Sequence, residues 1–266
     1  MNHILVLFLL FISTNTLFEH SFINDKVEHN VTDPNETRKT SRIDSFAFLS
    51  NGTTWKGKIF LPASYETNKN LPAIFLIDFT EQHFKVATDE FEKVIDGVQQ
   101  LNNQDALVVS LKEVADIDAE PDNFQEHYEI YKNMALYIDG KYTSNQSRTF
   151  IGKGSECGVV IKAMFIENTD NKVFDSFIAT DPSGLYATEI IRIIEENDFP
   201  KNKSNKKLHF SFSTSNDKTK CNKIISLFEN AGYPWLQFES VEYTKSNYEN
   251  TYPVSFAEGI KYVFGK

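Results

Sequence analysis

Two residues that could act as nucleophiles, Ser155 and Cys157, lie in or next to one glycine-rich segment. Gly152-Lys153-Gly154-Ser155-Glu156 is followed by Cys157, so a hydroxyl and a thiol stand close together where a strand pattern gives way to a helix pattern. Either group can attack an acyl carbon when a neighbouring base removes its proton. The alternatives are that Ser155 caps the helix and that Cys157 is a small core residue.

Histidine is the usual general base at neutral pH, so its distribution matters here. The six histidines are His3, His20, His29, His83, His127 and His209. None occurs from Phe210 to Lys266. The isolated positions of the last three predict structural roles. The sequence contains no metal-ligand cluster, phosphate-binding glycine loop or cofactor motif, so we expect no metal and no cofactor.

The elements that must position these residues alternate between strands and helices. Strand patterns occur at residues 73–78, 106–111, 148–151, 174–179, 208–213 and 238–243, and helix patterns at 91–98, 123–139, 155–166, 189–196, 221–230 and 255–264. Residues 43–48 and 55–60, with Asn51-Gly52 between them, predict an antiparallel edge hairpin. The pattern predicts an α/β fold with a mostly parallel sheet and helices on both faces.

Four motifs and their order resemble the esterase family that includes esterase D and enterochelin esterase, within the α/β-hydrolase fold. The motifs are Phe60-Leu61-Pro62-Ala63-Ser64-Tyr65; Leu71-Pro72-Ala73-Ile74-Phe75-Leu76-Ile77-Asp78; Tyr137-Ile138-Asp139-Gly140-Lys141-Tyr142 with Arg148-Thr149-Phe150-Ile151-Gly152; and Glu258-Gly259-Ile260-Lys261-Tyr262-Val263-Phe264. The resemblance covers most of the chain beyond its N-terminal tail. It implies an ester-hydrolysing site beyond the carboxyl ends of the strands.

The resemblance aligns the family's Gly-x-Ser-x-Gly turn, which holds the nucleophile, with residues 152–156 of this chain. Gly154 stands at the serine position, and Glu156 replaces the last glycine. Gly154 has no side chain and cannot attack a carbonyl. Ser155 is one residue further on, where a helical step turns the side chain by about 100°. A displaced nucleophile at Ser155 is therefore the alternative to a helix cap.

The resemblance also implies that the general base is missing, because Tyr248 stands at the histidine position. A tyrosine hydroxyl has an ordinary pKa near 10 and accepts a proton poorly at neutral pH. Asp217, after the strand pattern 208–213, matches the acid of the family's catalytic triad.

The resemblance also implies an oxyanion hole, whose donors are backbone N–H groups expected at Phe79 and Ser155. These donors do not depend on the serine and histidine side chains that the chain lacks. Lys153 and Glu156 either alter the charge of the site or form an ordinary ion pair.

The chain as a whole predicts an exported protein with one folded domain. An apolar run over residues 4–12, followed by polar residues, is typical of a signal peptide, which we assign to residues 1–18. An uncleaved leader that anchors the protein in a membrane is the alternative. Residues 19–42 predict a flexible tail, and residues 43–266 an α/β-hydrolase-like domain. We expect a secreted or periplasmic protein, in which Cys157 and Cys221 can form one disulfide in an oxidising compartment.

The net charge of −10 argues against nucleic acid and anionic membranes as partners. Because both the serine and the histidine positions are altered, we expect a non-catalytic member of the esterase family that binds a small-molecule or protein ligand. The sequence does not identify that ligand. An active carboxylic-ester hydrolase that uses Ser155 is the alternative, and a structural or adhesive secreted protein is the third possibility.

Overall fold

An eight-stranded sheet forms the centre of the computed structural model, which describes residues 40–77, 89–111, 121–196 and 204–265. The strands are β1 Arg42–Ser50, β2 Thr53–Leu61, β3 Ala73–Leu76, β4 Leu107–Leu111, β5 Arg148–Lys153, β6 Ser176–Thr180, β7 Lys206–Ser213 and β8 Leu236–Tyr243. The α-helices are α1 Glu90–Gln99, α2 Phe124–Lys141, α3 Glu156–Ile166, α4 Gly184–Glu196, α5 Lys218–Ala231 and α6 Tyr252–Phe264. Single turns of 3-10 helix lie at Ala63–Glu66 and Pro121–Asn123.

The strand order is β1-β2-β4-β3-β5-β6-β7-β8. β2 is antiparallel to both of its neighbours, and every other pair is parallel. Asn51 and Gly52 join β1 to β2 with positive φ angles of 50° and 79°, as a two-residue hairpin turn requires. The predicted α/β fold, with its mostly parallel sheet and antiparallel N-terminal hairpin, is confirmed.

Helices cover both faces of the sheet, and alternate residues of β3 show how. Phe75 belongs to the larger apolar cluster, which includes residues of α2, α3, α4 and α5. Ile74 and Leu76 belong to a second cluster with α1 and α6. Since successive strand residues point to opposite faces, the two clusters lie on opposite sides of the sheet. Strands that are buried on both faces need continuous apolar sequence, which is why the central strands could be predicted from their apolar runs.

Several element boundaries differ by two or more residues from the sequence-based prediction, and two of them have a clear physical reason. α4 begins at Gly184 rather than near residue 189, because a glycine start and the exposed Leu185 (60% accessible) obscure the apolar spacing that begins at the buried Ala187. β7 begins at Lys206 rather than Leu208, and the Lys206 side chain is fully buried. A buried lysine gives no strand signal, because apolar periodicity is what marks a strand in sequence.

The predicted leader and nearly all of the predicted tail lie outside the described residues, as do Phe79 and the histidines His3, His20, His29 and His83. In the four described segments, no helix has both the length and the apolar character needed to cross a bilayer.

Lys206 belongs to a buried polar network at the amino end of β7. Its Nζ lies 2.6 Å from Glu167 Oε2 and 2.9 Å from the carbonyl oxygen of Phe174. Glu167 also accepts hydrogen bonds from the Tyr128 hydroxyl, at 3.0 Å, and from the Phe174 backbone N–H. Both charged side chains are wholly inaccessible to solvent. The network joins the end of α3 to β7 and α2.

Replacement of Lys206 by methionine should destabilise the fold strongly, because Glu167 would remain buried without its counter-charge. We expect a loss of about 3–5 kcal/mol in the free energy of unfolding, measured by urea denaturation. Lys223→Met, which breaks the exposed pair with Glu195, is the matched control and should cost under about 1 kcal/mol. Equal losses for the two variants would contradict this account of the network.

Candidate active site

The turn between β5 and α3 retains the sharp backbone of a nucleophile-bearing elbow. Gly154 has a φ of 65°, a left-handed value that favours glycine. Its N–H donates to the carbonyl oxygen of Thr180 at 2.9 Å. At Gly152, an added Cβ would lie 2.8 Å from the Glu156 carbonyl oxygen. Both glycines are therefore needed for the turn, which we call the elbow (residues 152–156).

The hydroxyl of Tyr248 lies directly over Gly154. A Cβ built on Gly154 would be 2.2 Å from Tyr248 Oη and 3.4 Å from its Cζ. Real Cβ atoms do not come within 2.2 Å of another heavy atom, so the Tyr248 hydroxyl already occupies the volume in which a nucleophilic side chain would begin. Burial, together with the nearby Glu156 charge, raises the pKa of Tyr248 above its ordinary value. The hydroxyl is therefore protonated at neutral pH.

Ser155 stands at the N-cap position of α3, but its hydroxyl makes no capping bond to a described residue. The Oγ instead donates to Glu156 Oε1 at 2.9 Å. The prediction that the Ser155 side chain caps the helix by a hydrogen bond is therefore wrong. The reason is that the Ser155 φ of −61° and ψ of −37° are already helical, whereas a capping residue is usually extended. Ser155 is a half-buried residue of the elbow.

Glu156 is a buried acid whose carboxyl group meets Ser155. Burial, aided by the charge of Glu90, raises the pKa of Glu156 to about 8. A backbone hydrogen bond at Glu156, the hydrogen bond from Ser155 and the charge of Lys153 all lower the pKa but do not cancel the effect of burial. At neutral pH the carboxyl group is therefore mostly protonated, and a protonated acid cannot accept the serine proton.

Lys153 pairs with Glu90 rather than with Glu156. Its Nζ lies 3.3 Å from Glu90 Oε1, and its side chain is only 10% exposed. The same Nζ lies 4.5 Å from the ring centroids of Tyr248 and Tyr252. Cation–π contacts of this kind are strongest where water is excluded. The alternative of an ordinary Lys153–Glu156 ion pair is therefore wrong, because the ammonium is held between Glu90 and the two aromatic rings.

Asp217, which the sequence places at the acid position, is exposed and caps α5. Its Oδ1 accepts a hydrogen bond from the Lys220 backbone N–H at 3.1 Å. Asp217 follows β7 and Tyr248 follows the parallel β8, so both lie at the carboxyl edge of the sheet. The hydrogen bond of Asp217, however, directs its carboxylate toward its own helix.

Asp181, which sequence reasoning missed, lies deeper in the site than Asp217. It directly follows β6, is fully buried and has a φ of 51°. Its Oδ1 accepts bonds from the backbone N–H and Oγ of Ser213, at 2.6 and 2.9 Å, and from Asn216 at 3.0 Å. Its Oδ2 has no hydrogen-bond partner in the described part of the chain. The available signal was its place immediately after a strand, at the edge where ligands bind in such sheets.

Hydrogen bonds connect Asp181 to the loop that carries Tyr248. The Oγ atoms of Ser213 and Ser215 lie 3.1 Å apart, and the Tyr248 backbone N–H donates to Ser215 Oγ at 2.8 Å. Thr214 fixes the same loop through its backbone N–H and its hydroxyl, both of which donate to the carbonyl oxygen of Ser246. The turn after β7 therefore holds the Tyr248 loop in place over the elbow.

The two cysteines are free and buried. The Cys157 thiol donates to the carbonyl oxygen of Thr180 at 3.0 Å, and burial raises its pKa well above the ordinary value. Burial also raises the pKa of Cys221, to about 12. Both groups are therefore thiols rather than nucleophilic thiolates at neutral pH.

His209 lies within the sheet and not at its carboxyl edge. It is fully buried in β7, its Nδ1 is 2.9 Å from Glu239 Oε2, and burial lowers its pKa. A Cβ on Gly259 would come within 3.0 Å of the ring, so the imidazole packs against α6. Among the residues described, no group of three or more histidine, cysteine, aspartate or glutamate side chains could hold a metal ion.

No model of a protein family and no curated protein matches the sequence. Solved structures do match the fold. An IroE-like serine hydrolase from Shewanella oneidensis is 16% identical, with a TM-score of 0.65 over 84% of this chain and 80% of that one. A siderophore hydrolase, EstA, from Aspergillus nidulans is 12% identical, with a TM-score of 0.55 over 88% and 98% of the two chains.

An S-formylglutathione hydrolase, FrmB, from Staphylococcus aureus also matches, at 12% identity and a TM-score of 0.57 over 84% of this chain and 96% of that one. Likeness at these identities concerns the fold, and the function must be argued from the site itself. The chain has the α/β-hydrolase fold, which it shares with these hydrolases.

Proposed function

We propose that this chain is an exported protein that has lost ester hydrolysis and acts by binding a small-molecule or protein ligand at the carboxyl edge of the sheet. One observation carries the proposal: the Tyr248 hydroxyl occupies the space in which the side chain of a nucleophile at position 154 would begin. Acyl transfer on this scaffold needs an oxygen at the elbow and a base facing it. The proposal of export rests on the apolar leader pattern at residues 4–12.

A second candidate function has one specific observation in its favour, the hydrogen bond from Ser155 to Glu156. Above a pH of about 8, where Glu156 ionises, its carboxylate could accept the serine proton. This hydrolase would be inactive at neutral pH and would gain activity as the pH rises. The pH dependence therefore separates the two functions.

Purified protein should not hydrolyse a short-chain chromogenic ester faster than buffer at pH 7 or at pH 9.5. Loss of triad members ordinarily costs a factor of about 10⁴ or more in rate. Ser155→Ala should give the same background rate, with Ser64→Ala, away from the elbow, as the matched control. Turnover that rises with pH and disappears only in Ser155→Ala would establish the second function instead.

Gly154→Ser combined with Tyr248→His should restore weak turnover, since the second change removes the phenol that excludes a side chain at position 154. Gly154→Ser alone should be inactive and less stable by about 1–3 kcal/mol, because it adds both the steric overlap and a strained left-handed serine. Thermal melting and initial rates of the single and double variants would be measured together. A folded double variant that stays inert would contradict the view that the remaining site is preserved.

Glu156→Gln should remove a pH dependence of stability. The pKa of Glu156 rises from its usual 4.5 to about 8 on folding, so its favourable contribution is present below about pH 4.5 and is lost as the pH rises through 8. The variant should therefore gain stability over the natural protein between pH 5 and pH 8, by at most about 1.4 kcal/mol per pH unit. Urea unfolding at both pH values measures the gain, and an unchanged difference would contradict a buried, neutral Glu156.

A further inference from the structure

β1 is a long strand at one edge of the sheet, and its outer side pairs with no strand in the four described segments. All nine of its residues lie in unbroken register with β2, so no bulge interrupts the edge. Natural proteins commonly protect a free edge with charged side chains, proline, a bulge or a very short strand. The stretch from Ser45 to Ser50 contains no charge and no proline. The described residues thus leave the outer backbone groups of β1 open to a further strand.

The opposite edge of the sheet is protected in the usual way. β8 carries Glu239 and Glu242 among its eight residues, and charged side chains are a common guard of an edge strand. Glu239 pairs with His209, and Glu242 pairs with Lys218. β1 is therefore the edge that invites another strand.

The hairpin turn fixes which backbone groups of β1 point outward. Ser50 pairs with Thr53 across the two-residue turn, and in such a turn the C=O of the first flanking residue accepts from the N–H of the second. Because hydrogen-bonded and non-hydrogen-bonded pairs alternate along an antiparallel ladder, the even-numbered residues of β1 bond to β2. The N–H and C=O groups of the odd-numbered residues from 43 to 49 therefore point away from β2.

The same odd-numbered residues carry the exposed apolar side chains of β1. Ile43 is 54% exposed and Leu49 is 69% exposed, whereas Phe46 and Phe48 are buried. A second β1 strand aligned antiparallel about Phe46 would place Ile43 opposite Leu49 of the other copy. Since residues directly opposite each other in a sheet share a face, the two exposed aliphatic side chains would cover one another.

This register also satisfies the backbone along the whole strand. Residue 43 pairs with residue 49 of the other copy, and residue 45 pairs with residue 47. All of these are outward-pointing, so each pair can exchange two N–H···O=C bonds. Arg42 then lies opposite Ser50, and Asp44 opposite Phe48, so no two like charges meet. A shift by one residue would set outward groups against inward ones, and a shift by two would separate Ile43 from Leu49.

We propose that the chain forms a two-fold symmetric dimer in which two β1 strands pair antiparallel about Phe46, so that one sheet continues across both copies. A two-fold contact uses the same surface on each copy and closes on itself, so association stops at the dimer. The interface lies at the edge of the sheet, whereas the elbow follows the central β5. The inference therefore goes beyond the proposed function and does not depend on it.

Sedimentation equilibrium of the full chain at about 100 μM should give twice the mass of one chain, because even a dissociation constant of about 10 μM leaves most chains paired. Ala47→Pro removes an outward N–H without removing a bond to β2, and should weaken association by about tenfold or more. Ala47→Val keeps that N–H, so it is the matched control and should associate like the natural protein.

Leu49→Lys tests the side-chain contact, because it sets an ammonium group opposite Ile43 of the other copy. This variant should also weaken association by about tenfold or more. Leu185→Lys, at a similarly exposed leucine of α4, is its matched control. Since Leu49 is largely exposed within one chain, Leu49→Lys should fold even if Ala47→Pro does not.

A disulfide between copies tests the register itself. Residue 43 and residue 49 of the other copy would have Cα atoms about 5.5 Å apart, within the reach of a disulfide. Two copies of residue 43 would be roughly 20 Å apart, as six residues of strand require. Mixed Ile43→Cys and Leu49→Cys chains, with oxidised glutathione as the electron acceptor, should therefore cross-link at least about ten times faster than either chain alone.

Three results would overturn the inference. A natural protein that sediments as a single chain would assign the edge to another segment of the same chain or to a different partner. Association that is unchanged in a folded Ala47→Pro and in Leu49→Lys would place the contact elsewhere. Equal cross-linking of the mixed and the separate cysteine variants would exclude the pairing about Phe46.

Discussion

A side chain at position 154 would have to share its volume with the hydroxyl of Tyr248, and this steric exclusion governs the carboxyl edge of the sheet. The elbow backbone keeps the left-handed φ of Gly154 and the close approach at Gly152, so the scaffold still forms the turn that holds a nucleophile in this fold. The space in which a side chain at position 154 would begin holds a phenol from another loop.

Charged side chains around the elbow hold the Tyr248 phenol over Gly154. The Lys153 ammonium contacts the rings of Tyr248 and Tyr252 and forms an ion pair with Glu90. The Glu156 carboxyl group lies beside the same glycine, and burial keeps it mostly protonated at neutral pH. A general base must be free to accept a proton, whereas burial keeps both the Tyr248 hydroxyl and the Glu156 carboxyl group mostly protonated at neutral pH. Such a cluster can recognise a ligand by charge and shape without reacting with it.

The fold was readable from sequence because strands buried on both faces are continuously apolar and because Asn51-Gly52 marks its hairpin turn. The proximity of Gly154 and Tyr248 was predicted through the resemblance to the esterase family, which places them at its serine and histidine positions, although β5 and β8 are not neighbours in the sheet. Partners distant in sequence were not readable: Lys153 meets Glu90, and Lys206 meets Glu167, through contacts that only the folded sheet creates. Asp181 was missed for a related reason, since an aspartate after a strand is common in turns and its burial depends on β7.

The most direct test of the central claim is intact-mass spectrometry after incubation with a fluorophosphonate, which bonds covalently to activated serine hydroxyls. The account predicts that the natural protein gains no phosphonyl mass at pH 7 or pH 9.5, because Gly154 carries no side-chain oxygen and the Ser155 side chain, one helical step further on, points about 100° away from the direction of a nucleophile at position 154. A single phosphonyl adduct mapped to Ser155 would contradict it, since it would show that an activated nucleophile exists beside the phenol.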